Sequence, residues 1–501
     1  GLGDVYKRQI YQRTKKKEFK NLLANFKAQY EIIPGLTAAA FFAMEKNDAL
    51  TNDYSMREEY SQYKDGTNGR AKKEYYQNTN RTTEWTANYN TSINGVHNIT
   101  GLLGYSYQDF EYEQFSAENK NFLTDVFGTN NLEAGGYLKD GKAEMKSKKE
   151  TSKLIAFFAR ANYNYDGKYM ASASIRREGS TKFGANNKWA WCPSVSAGWM
   201  ISREDFMESQ EVFDVLKFRA GFGITGSLPT DPYMSLATYG TGAGAWNAYT
   251  GSWLTATYGP NINPNPDLKW EKTGQFDVGF EIGFWQNRLS FDVAYYNKKT
   301  TDLLLDCPIP HTTGFTTVYK NIGSVRNQGM DLMISARPVQ TQDFNWSSTI
   351  NLNFNKNKIL QLGDNNEDIE MNSWVGGSES ILRVGENMSS FYGYRRLGVY
   401  TEEDFNNGLC EKNQIGRAKR TDKKEIIGKG MPDWTGSWIN NFSYKNFDLT
   451  MDLQFVWGVE TMQQFYHSTY DRFGITNGLS NILYDACLLY TSPSPRDGLL
   501  S

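Results

Sequence analysis

Residues 154–207 read LIAFFARANYNYDGKYMASASIRREGSTKFGANNKWAWCPSVSAGWMISREDFM, and this stretch decides the fold. Apolar or aromatic residues alternate with mostly polar ones over 155–163, 169–175 and 195–201. An alternation of period two is typical of β-strands. The pair Asp166-Gly167 lies between the first two segments and suits a tight hairpin turn. The stretch therefore predicts three consecutive antiparallel strands that share one pattern.

The two faces of these strands differ in chemistry, because one is apolar and aromatic and the other is rich in Ser, Asn and Arg. A soluble β-sandwich would have to cover the apolar face with a second sheet. A barrel in an outer membrane turns that face to lipid and lines a wet lumen with the polar face. The pattern favours a transmembrane β-barrel, and a secreted carbohydrate-binding β-sandwich stays open as the alternative.

Composition narrows the function classes. The chain has 501 residues, 39% of them hydrophobic, and a formal charge of −2, so it has no basic excess that would indicate a nucleic-acid partner. Its 31 Tyr, 29 Phe and 13 Trp suit either the aromatic girdles of a barrel or a carbohydrate-binding surface. Mean hydropathy is −0.62, and no apolar run is long enough for a helical membrane span.

Residues that usually ligate metals or act in catalysis are scattered. The four cysteines show neither a disulfide framework nor zinc-ligand spacing, and the three histidines are equally dispersed. The sequence thus predicts no catalytic, cofactor-binding or metal-binding residue and no enzyme. The residues concerned are Cys192, Cys307, Cys410, Cys487, His97, His311 and His467.

The same alternation recurs along the rest of the chain. About fourteen strands of roughly nine to eleven residues can be marked, which is the length needed to cross a bilayer at a tilt. Short and long connections alternate, as expected when tight turns lie on the periplasmic side and long loops outside. The polar stretches that end near Asn80 and that cover 111–149 are interpreted as solvated loops. Outward-facing candidates in one hairpin are Trp85, Ala87, Tyr89, Ile99, Leu103 and Tyr105.

The two ends of the chain look unrelated to the fold. Residues 1–10 have neither an initiator Met nor a signal peptide, and both they and residues 487–501 resemble translated sequencing-adapter sequence. We therefore expect a partial barrel over 11–486 that is an internal fragment of a longer protein.

Several local motifs favour structural interpretations. GFGITG at 221–226 follows a strand but precedes no helix, which indicates a strand end rather than a phosphate loop. DNNED at 364–368 lacks the glycine of a calcium loop and predicts a loop cap. Paired carboxylates in the loops have no fixed separation and are interpreted as solvated charge. Candidates for interfacial anchoring or for stacking on sugar rings are Trp189, Trp191, Trp253, Trp374 and Trp457.

Longer segments resemble a known family. The stretch from YNYDGKYM to ISREDFM is similar to the barrel signature of TonB-linked outer-membrane transporters of the SusC/RagA class. Further segments match in the same order as in that family: LKFRAGFGITGS, NPDLKWEKTGQFDVGFEIGFWQNRLSFDVAYYNKKTTDLL, YKNIGSVRNQGMDL, LRVGENMSSFYGYRRLGVY and MPDWTGSWINNFSYKNFDLTMDLQF. Together they span residues from about 154 to 455, most of the chain.

The resemblance implies a 22-stranded antiparallel barrel in the outer membrane, plugged from the periplasmic side. It implies import of nutrients too large for porins, with energy from TonB, ExbB and ExbD and with a SusD-like surface lipoprotein as a lid. Oligosaccharides are the commoner cargo in the family and oligopeptides the main competitor. The plug, TonB box and terminal strands of the family pattern are not found in this sequence. Substrate contacts are expected in 111–149, 225–265 and 361–399, but no individual residue is assigned.

Overall fold

A computed structural model of the chain describes residues 11–242, 246–247, 252–253, 257–309, 311–313, 315, 317–373 and 377–462. The expected non-native ends, 1–10 and 487–501, lie outside the described residues, as do Trp374, His467, Cys487 and the side chain of Trp253. None of the helices in the described part is long and apolar enough to cross a membrane.

One antiparallel sheet contains fourteen strands, which confirms the predicted number and the all-β class. In pairing order they are β1 (Arg13–Ile33), β2 (Leu36–Ser55), β3 (Arg70–Ile93), β4 (His97–Lys120), β5 (Glu144–Tyr165), β6 (Tyr169–Ser180), β7 (Trp189–Met200), β8 (Phe213–Ser227), β13 (Glu271–Phe284), β14 (Leu289–Pro308), β15 (Thr317–Gln340), β16 (Phe344–Leu362), β23 (Trp434–Tyr444) and β24 (Phe447–Trp457). Nearly all neighbours in the sheet are consecutive in the chain, so the topology is a meander.

Shorter elements occupy the long connections. Small sheets pair β9 (Thr238–Gly242) with β12 (Thr257–Ile262), β10 (Trp246–Asn247) with β11 (Ser252–Trp253), and β20 (Arg396–Val399) with β21 (Ala418–Arg420). A four-stranded sheet joins β17 (Ile369–Ser373), β18 (Gly377–Leu382), β19 (Ser390–Gly393) and β22 (Glu425–Lys429). The α-helices of the described part are α1 (Tyr60–Lys64), α2 (Gly136–Lys139) and α3 (Glu402–Asn406).

Tight turns close one end of the strand pairs, as the sequence predicts. Asn94 and Gly95 have φ angles of 54° and 71°, and Asp166 and Gly167 have φ angles of 49° and 62°. Two successive positive φ angles define the turn that matches the right-handed twist of a hairpin. These turns fix the register of β3 on β4 and of β5 on β6.

The strands are longer than predicted, and the loops are correspondingly shorter. β3 and β4 have 24 residues each and β5 has 22, so much of the polar sequence before Asn80 and within 111–149 is strand. The interpretation of these stretches as loops is therefore wrong in part. Apolar alternation stops where both faces of a strand meet water, although the backbone pairing continues.

The chain comprises two compact units. The first contains Gly1–Ala197, Gly223–Lys272 and Asp306–Asn321, and the second contains Gly198–Phe222, Thr273–Leu305 and Ile322–Ser501. Several strands contribute residues to both.

In the first unit, alternate residues of β3 to β6 form an apolar face. Trp85 pairs with Tyr105, Tyr105 with Phe157 and Phe157 with Arg177 along one row. Trp85 is 57% exposed, which agrees with its prediction as an outward residue. Farther from the tight turns the same face carries ion pairs, which we call the charged belt: Arg81–Asp109, Arg81–Glu111, Lys149–Glu111 and Lys149–Glu113.

Two loops of the first unit that are far apart in sequence contact each other. Phe183 packs against Trp270 with the two rings tilted by 33°, and both side chains are buried together with Ala190. The Gly184 amide donates to the Leu268 carbonyl at 3.2 Å. These residues belong to the STKFGANNKWAW and NPDLKW segments, so part of the family signature specifies a contact between loops.

The second unit has its own small core of Val325, Ile359 and Leu362. Leu382 from β18 packs against it, so the four-stranded sheet is anchored to β15 and β16. The segment 361–399, in which substrate contacts are expected, is thus largely organised into strands. GFGITG lies inside β8, in agreement with the prediction of a strand rather than a phosphate loop.

Candidate functional site

A cavity of about 310 Å³ lies against β2 to β5 in the first unit. Its wall combines strand residues with the start of the long connection after β8. The side chains that define its chemistry are Glu45, Asn47, Asn78, Asn80, Phe110, Tyr112, Glu150, Ser152, Lys182 and Asp231. Cavities of this size and with convergent polar groups are typical binding sites for small ligands or for single units of larger ones.

Strand register brings these residues together. In one row, Glu45 pairs with Asn80, Asn80 with Phe110 and Phe110 with Ser152. The next row, two residues farther along each strand, runs through Asn47, Asn78, Tyr112 and Glu150. Because side chains two residues apart share a face, both rows point to the face opposite the charged belt.

Lys182 holds the connection that covers the cavity. Its ammonium donates to the Pro229 and Thr230 carbonyls at 2.9 and 2.8 Å. Burial keeps the pKa of this ammonium below its ordinary value, despite the opposing charges of Asp231 and Glu150. The Thr151 amide also donates to the Tyr233 hydroxyl at 2.9 Å. The wall at 229–233 is therefore held by hydrogen bonds rather than by apolar packing.

The cavity presents more acceptors than free donors. The Oδ1 atom of Asn80 is buried and has no hydrogen-bond partner within the described part of the chain. Glu45 accepts from the Asn47 side chain at 2.9 Å, and Glu150 pairs with Lys148 at 2.8 Å. A buried acceptor without a donor costs about 1–3 kcal/mol. A ligand that brings hydroxyl or ammonium donors would remove that cost.

A second cavity, of about 590 Å³, lies in the second unit. Tyr295, Met330 and Phe354 form its apolar wall. Asn355, Asn357, Glu386, Asn387, Lys429 and Asp433 form its polar wall. Lys429 and Asp433 are ion-paired to each other, so their charges are largely compensated.

The predicted substrate segments contribute only part of these sites. Tyr112 from 111–149 and Thr230 to Pro232 from 225–265 line the first cavity, and Glu386 and Asn387 from 361–399 line the second. The strand residues before Asn80 are missed by the sequence pattern, because their polar sequence predicts a loop. Their signal is the hairpin register, which extends unbroken from Asn94-Gly95.

The DNNED segment is a cap, as predicted. Asn366 has a φ angle of 56°, and its side chain accepts from the Leu362 amide at 3.0 Å. Asp368 pairs with Arg383 at 2.7 Å. Within the described ranges no group of three or more His, Cys, Asp or Glu residues is placed to hold a metal ion.

Comparison with known proteins assigns the family. The family described as TonB dependent receptor-like, beta-barrel matches residues 2–478. TonB-dependent receptor P3 of Formosa agariphila is 32% identical over 86% of this chain and 44% of the relative. TonB-dependent receptor SusC of Bacteroides thetaiotaomicron is 32% identical over 60% of this chain and 31% of the relative.

Solved structures agree with this assignment. The structure described as the RagAB peptide transporter superposes with a TM-score of 0.75 at 25% identity and covers 89% of this chain and 49% of that one. The chain thus spans less than half the length of these relatives. The family assignment favours the barrel over the secreted β-sandwich. The chain belongs to the β-barrel family of TonB-dependent receptors and is an outer-membrane protein of the SusC/RagA type.

Proposed function

We propose that the receptor formed with this barrel segment imports oligosaccharides across the outer membrane. A SusD-like lipoprotein would capture the ligand at the surface, and TonB with ExbB and ExbD would supply the energy. The family assignment and the similarity to SusC support the transport class. The expected barrel domain at 11–486 would form part of the wall through which the ligand passes.

The first cavity, which is rich in hydrogen-bond acceptors, is the observation that favours a glycan, and we call it the nutrient cavity. Sugars offer many hydroxyl donors, which suit Asn80, Glu45 and Asp231. Tyr112 and Phe110 add aromatic surface on which the apolar face of a sugar ring can lie. A ligand with hydroxyls on its edge and C–H groups on its face would use both kinds of wall.

A peptide ligand is the second candidate, because two structures described as the RagAB peptide importer also superpose with a TM-score of 0.75. A peptide carries a terminal carboxylate that needs a cation or several free donors. In the first cavity, the ammonium of Lys182 is already engaged by two carbonyls, and Glu45 and Asp231 would repel a carboxylate. This cavity therefore fits a neutral glycan better.

Transport in this proposal needs no catalytic residue. A gated pathway works by binding, displacement and release of the ligand, so activation of a nucleophile is not required. His97 contacts the Tyr163 hydroxyl at 2.8 Å. Its position at the start of β4, away from the cavity residues, gives it no role in the proposed binding step.

The test compares two ligand panels on the full receptor with its lipoprotein. Fluorescently labelled oligosaccharides and labelled peptides are offered to cells with intact or inactive TonB. We expect TonB-dependent uptake of an oligosaccharide and about tenfold weaker binding of it after Tyr112→Ala. Phe115→Ala, on the opposite face of β4, is the matched control and should bind normally. Uptake of peptides alone would overturn the glycan assignment, and TonB-independent uptake would overturn the transport mechanism.

A further inference from the structure

Arg177 is a cation on the apolar face of β6. Its guanidinium carbon lies 4.8 Å from the ring centroid of Trp189 and 5.2 Å from that of Trp191. Both distances are within the range of a cation–π contact. No carboxylate in the described part of the chain lies within ion-pair distance of Arg177, and the side chain is exposed. We call Arg177, Trp189, Trp191 and Phe157 the Arg177 cluster.

The geometry of the Arg177 cluster is built into the strands. Phe157 and Trp189 stack with centroids 6.4 Å apart and an interplanar angle of 26°. Gly179 lies beneath the indole of Trp189, and a Cβ atom at this position would be only 2.8 Å from the ring. Glycine thus lets the indole lie close to the sheet. Because the rings are held by their neighbours, the site needs little ordering when a ligand binds.

The cluster has N–H donors that no described residue accepts. Trp270, Trp199, Trp346 and Trp438 each donate their indole N–H to a protein acceptor. No such bond is made by Trp189 or Trp191 within the described residues. Three neighbouring side chains therefore offer N–H donors, and one of them carries a positive charge. This combination suits an anion with several acceptor oxygens.

The position of the cluster along the membrane-crossing strands indicates which kind of molecule would supply that anion. Arg177 pairs with Phe157 in the aromatic row, and Lys153 follows on the same face of β5, toward the charged belt. Lys153 is also exposed and has no ion pair in the described part, whereas Arg81 and Lys149 are paired to carboxylates. Aromatic and long cationic side chains concentrate where hydrocarbon gives way to lipid headgroups.

We propose that the Arg177 cluster binds a phosphate of an outer-leaflet lipid, with Lys153 as a second cation above it. The guanidinium would pair with the phosphate oxygens, and the exposed indoles would pack on the adjoining apolar part of the lipid. The site is separate from the nutrient cavity, since it lies on the opposite face of the sheet. It would fix the depth and rotation of this part of the barrel in the membrane.

The test uses native mass spectrometry of the full receptor in detergent, titrated with phosphorylated lipid A or with the same lipid after phosphatase treatment. We expect the phosphorylated lipid to be retained preferentially and Arg177→Gln to weaken its binding by about tenfold. Lys153→Gln should have a smaller effect in the same direction. Arg160→Gln is the matched control, because it removes the same charge from the polar face of β5.

Equal retention of both lipids by the unaltered receptor would overturn the proposal, as would normal binding by Arg177→Gln. Heat-dependent gel mobility reports whether each variant is folded. If Arg177→Gln does not fold, Arg177→Lys replaces it in the test. This variant keeps the charge but loses the planar guanidinium, so its lipid binding should lie between that of the unaltered receptor and background. Lipid retention does not depend on nutrient uptake, so failure here is distinguishable from failure of the transport proposal.

Discussion

Phe183 and Trp270 pack as a tilted ring pair with centroids 4.6 Å apart, and each side chain is only 2% exposed. The indole of Trp270 also donates to the Lys188 carbonyl at 3.0 Å. The connection between β6 and β7 is thereby tied to the segment that enters β13. This tie supports Lys182, which holds the wall of the nutrient cavity, so packing between loops positions the site.

Phe183→Ala should therefore destabilise the receptor. Removal of a buried aromatic ring typically costs about 3–5 kcal/mol, because the transfer energy is lost and a cavity remains. Denaturant unfolding in detergent micelles, followed by tryptophan fluorescence, would measure the change. Phe206→Ala is the control, because Phe206 is 65% exposed and its loss should cost much less. Equal effects of the two substitutions would contradict a structural role for the Phe183 contact.

Gly184→Ala should disturb the same contact by a steric route. A Cβ atom on Gly184 would lie 1.7 Å from the Pro266 carbonyl oxygen, so one backbone segment must move. Overpacking of this kind costs about 1–3 kcal/mol or more. Limited proteolysis of the 181–188 segment would report the displacement. Gly101→Ala serves as a comparison, since a Cβ atom at Gly101 would meet no other atom within 4 Å, and it should leave the cleavage pattern unchanged.

Sequence patterns predict the membrane-crossing part of the fold because one face of each strand must be apolar there. Ile155 to Tyr163 and the Asp166-Gly167 turn are examples, and their register agrees with the structure. The same logic fails beyond Lys153, where both faces of β5 are polar and only the backbone ladder defines the strand. Side-chain alternation carries no signal for such a strand.

The candidate site lies beyond sequence-based prediction for the same reason. Glu45, Asn80 and Glu150 come from strand ends that carry no apolar alternation, and only cross-strand register brings them together. Asp231 reaches them because Lys182 binds the carbonyls before it. The predicted segments 111–149 and 225–265 include some lining residues, but their convergence depends on tertiary contacts.

Acid should loosen the ends of β2 to β4. Arg70 donates to Glu118 at 2.7 Å and holds the pKa of that carboxyl below its ordinary value. Burial alone would raise the pKa of Asp53, but hydrogen bonds from Arg13 and Arg70 outweigh it, and the pKa is lowered. Both carboxylates therefore stabilise the folded state fully above their unfolded pKa values of about 4. That stability is lost as the pH falls through the lower folded values.

The expected result is a fall in the denaturant midpoint as the pH is lowered from about 5 to about 3, and Glu118→Gln should make this fall smaller. The substitution removes one titrating group while it keeps the shape of the side chain. Glu84→Gln is a suitable control. Glu84 lies in β3 of the same sheet, but the carboxylates that pair with Arg70 are those of Asp53 and Glu118. A pH profile that Glu118→Gln leaves unaltered would argue against the Arg70 contact as its source.

Lys182→Met should open the wall of the nutrient cavity. The variant keeps much of the aliphatic length but loses both hydrogen bonds to the 229–230 carbonyls. A buried bond from a charged donor is worth roughly 1.5–3 kcal/mol, and each of these two should be worth less, because one is only partly buried and the other is exposed. Hydrogen exchange in 229–233 should become faster, and binding of the transported ligand should weaken. Lys188→Met, a substitution of a nearby exposed lysine, should change neither quantity.

The extension of β5 beyond the bilayer can be tested with spin labels on one face of one strand. Ala161 pairs with Gly101 inside the apolar zone, whereas Ser147 pairs with Phe115 beyond the charged belt. After replacement of the native cysteines, a label at Ala161→Cys should collide mainly with oxygen, which concentrates in hydrocarbon. A label at Ser147→Cys should collide mainly with a water-soluble nickel complex. Because both positions have the same parity on β5, only their depth differs. Oxygen-dominated collisions at both positions would place the charged belt in lipid, where its ion pairs would lose the hydration that they need. A membrane boundary at Lys153 would then be wrong.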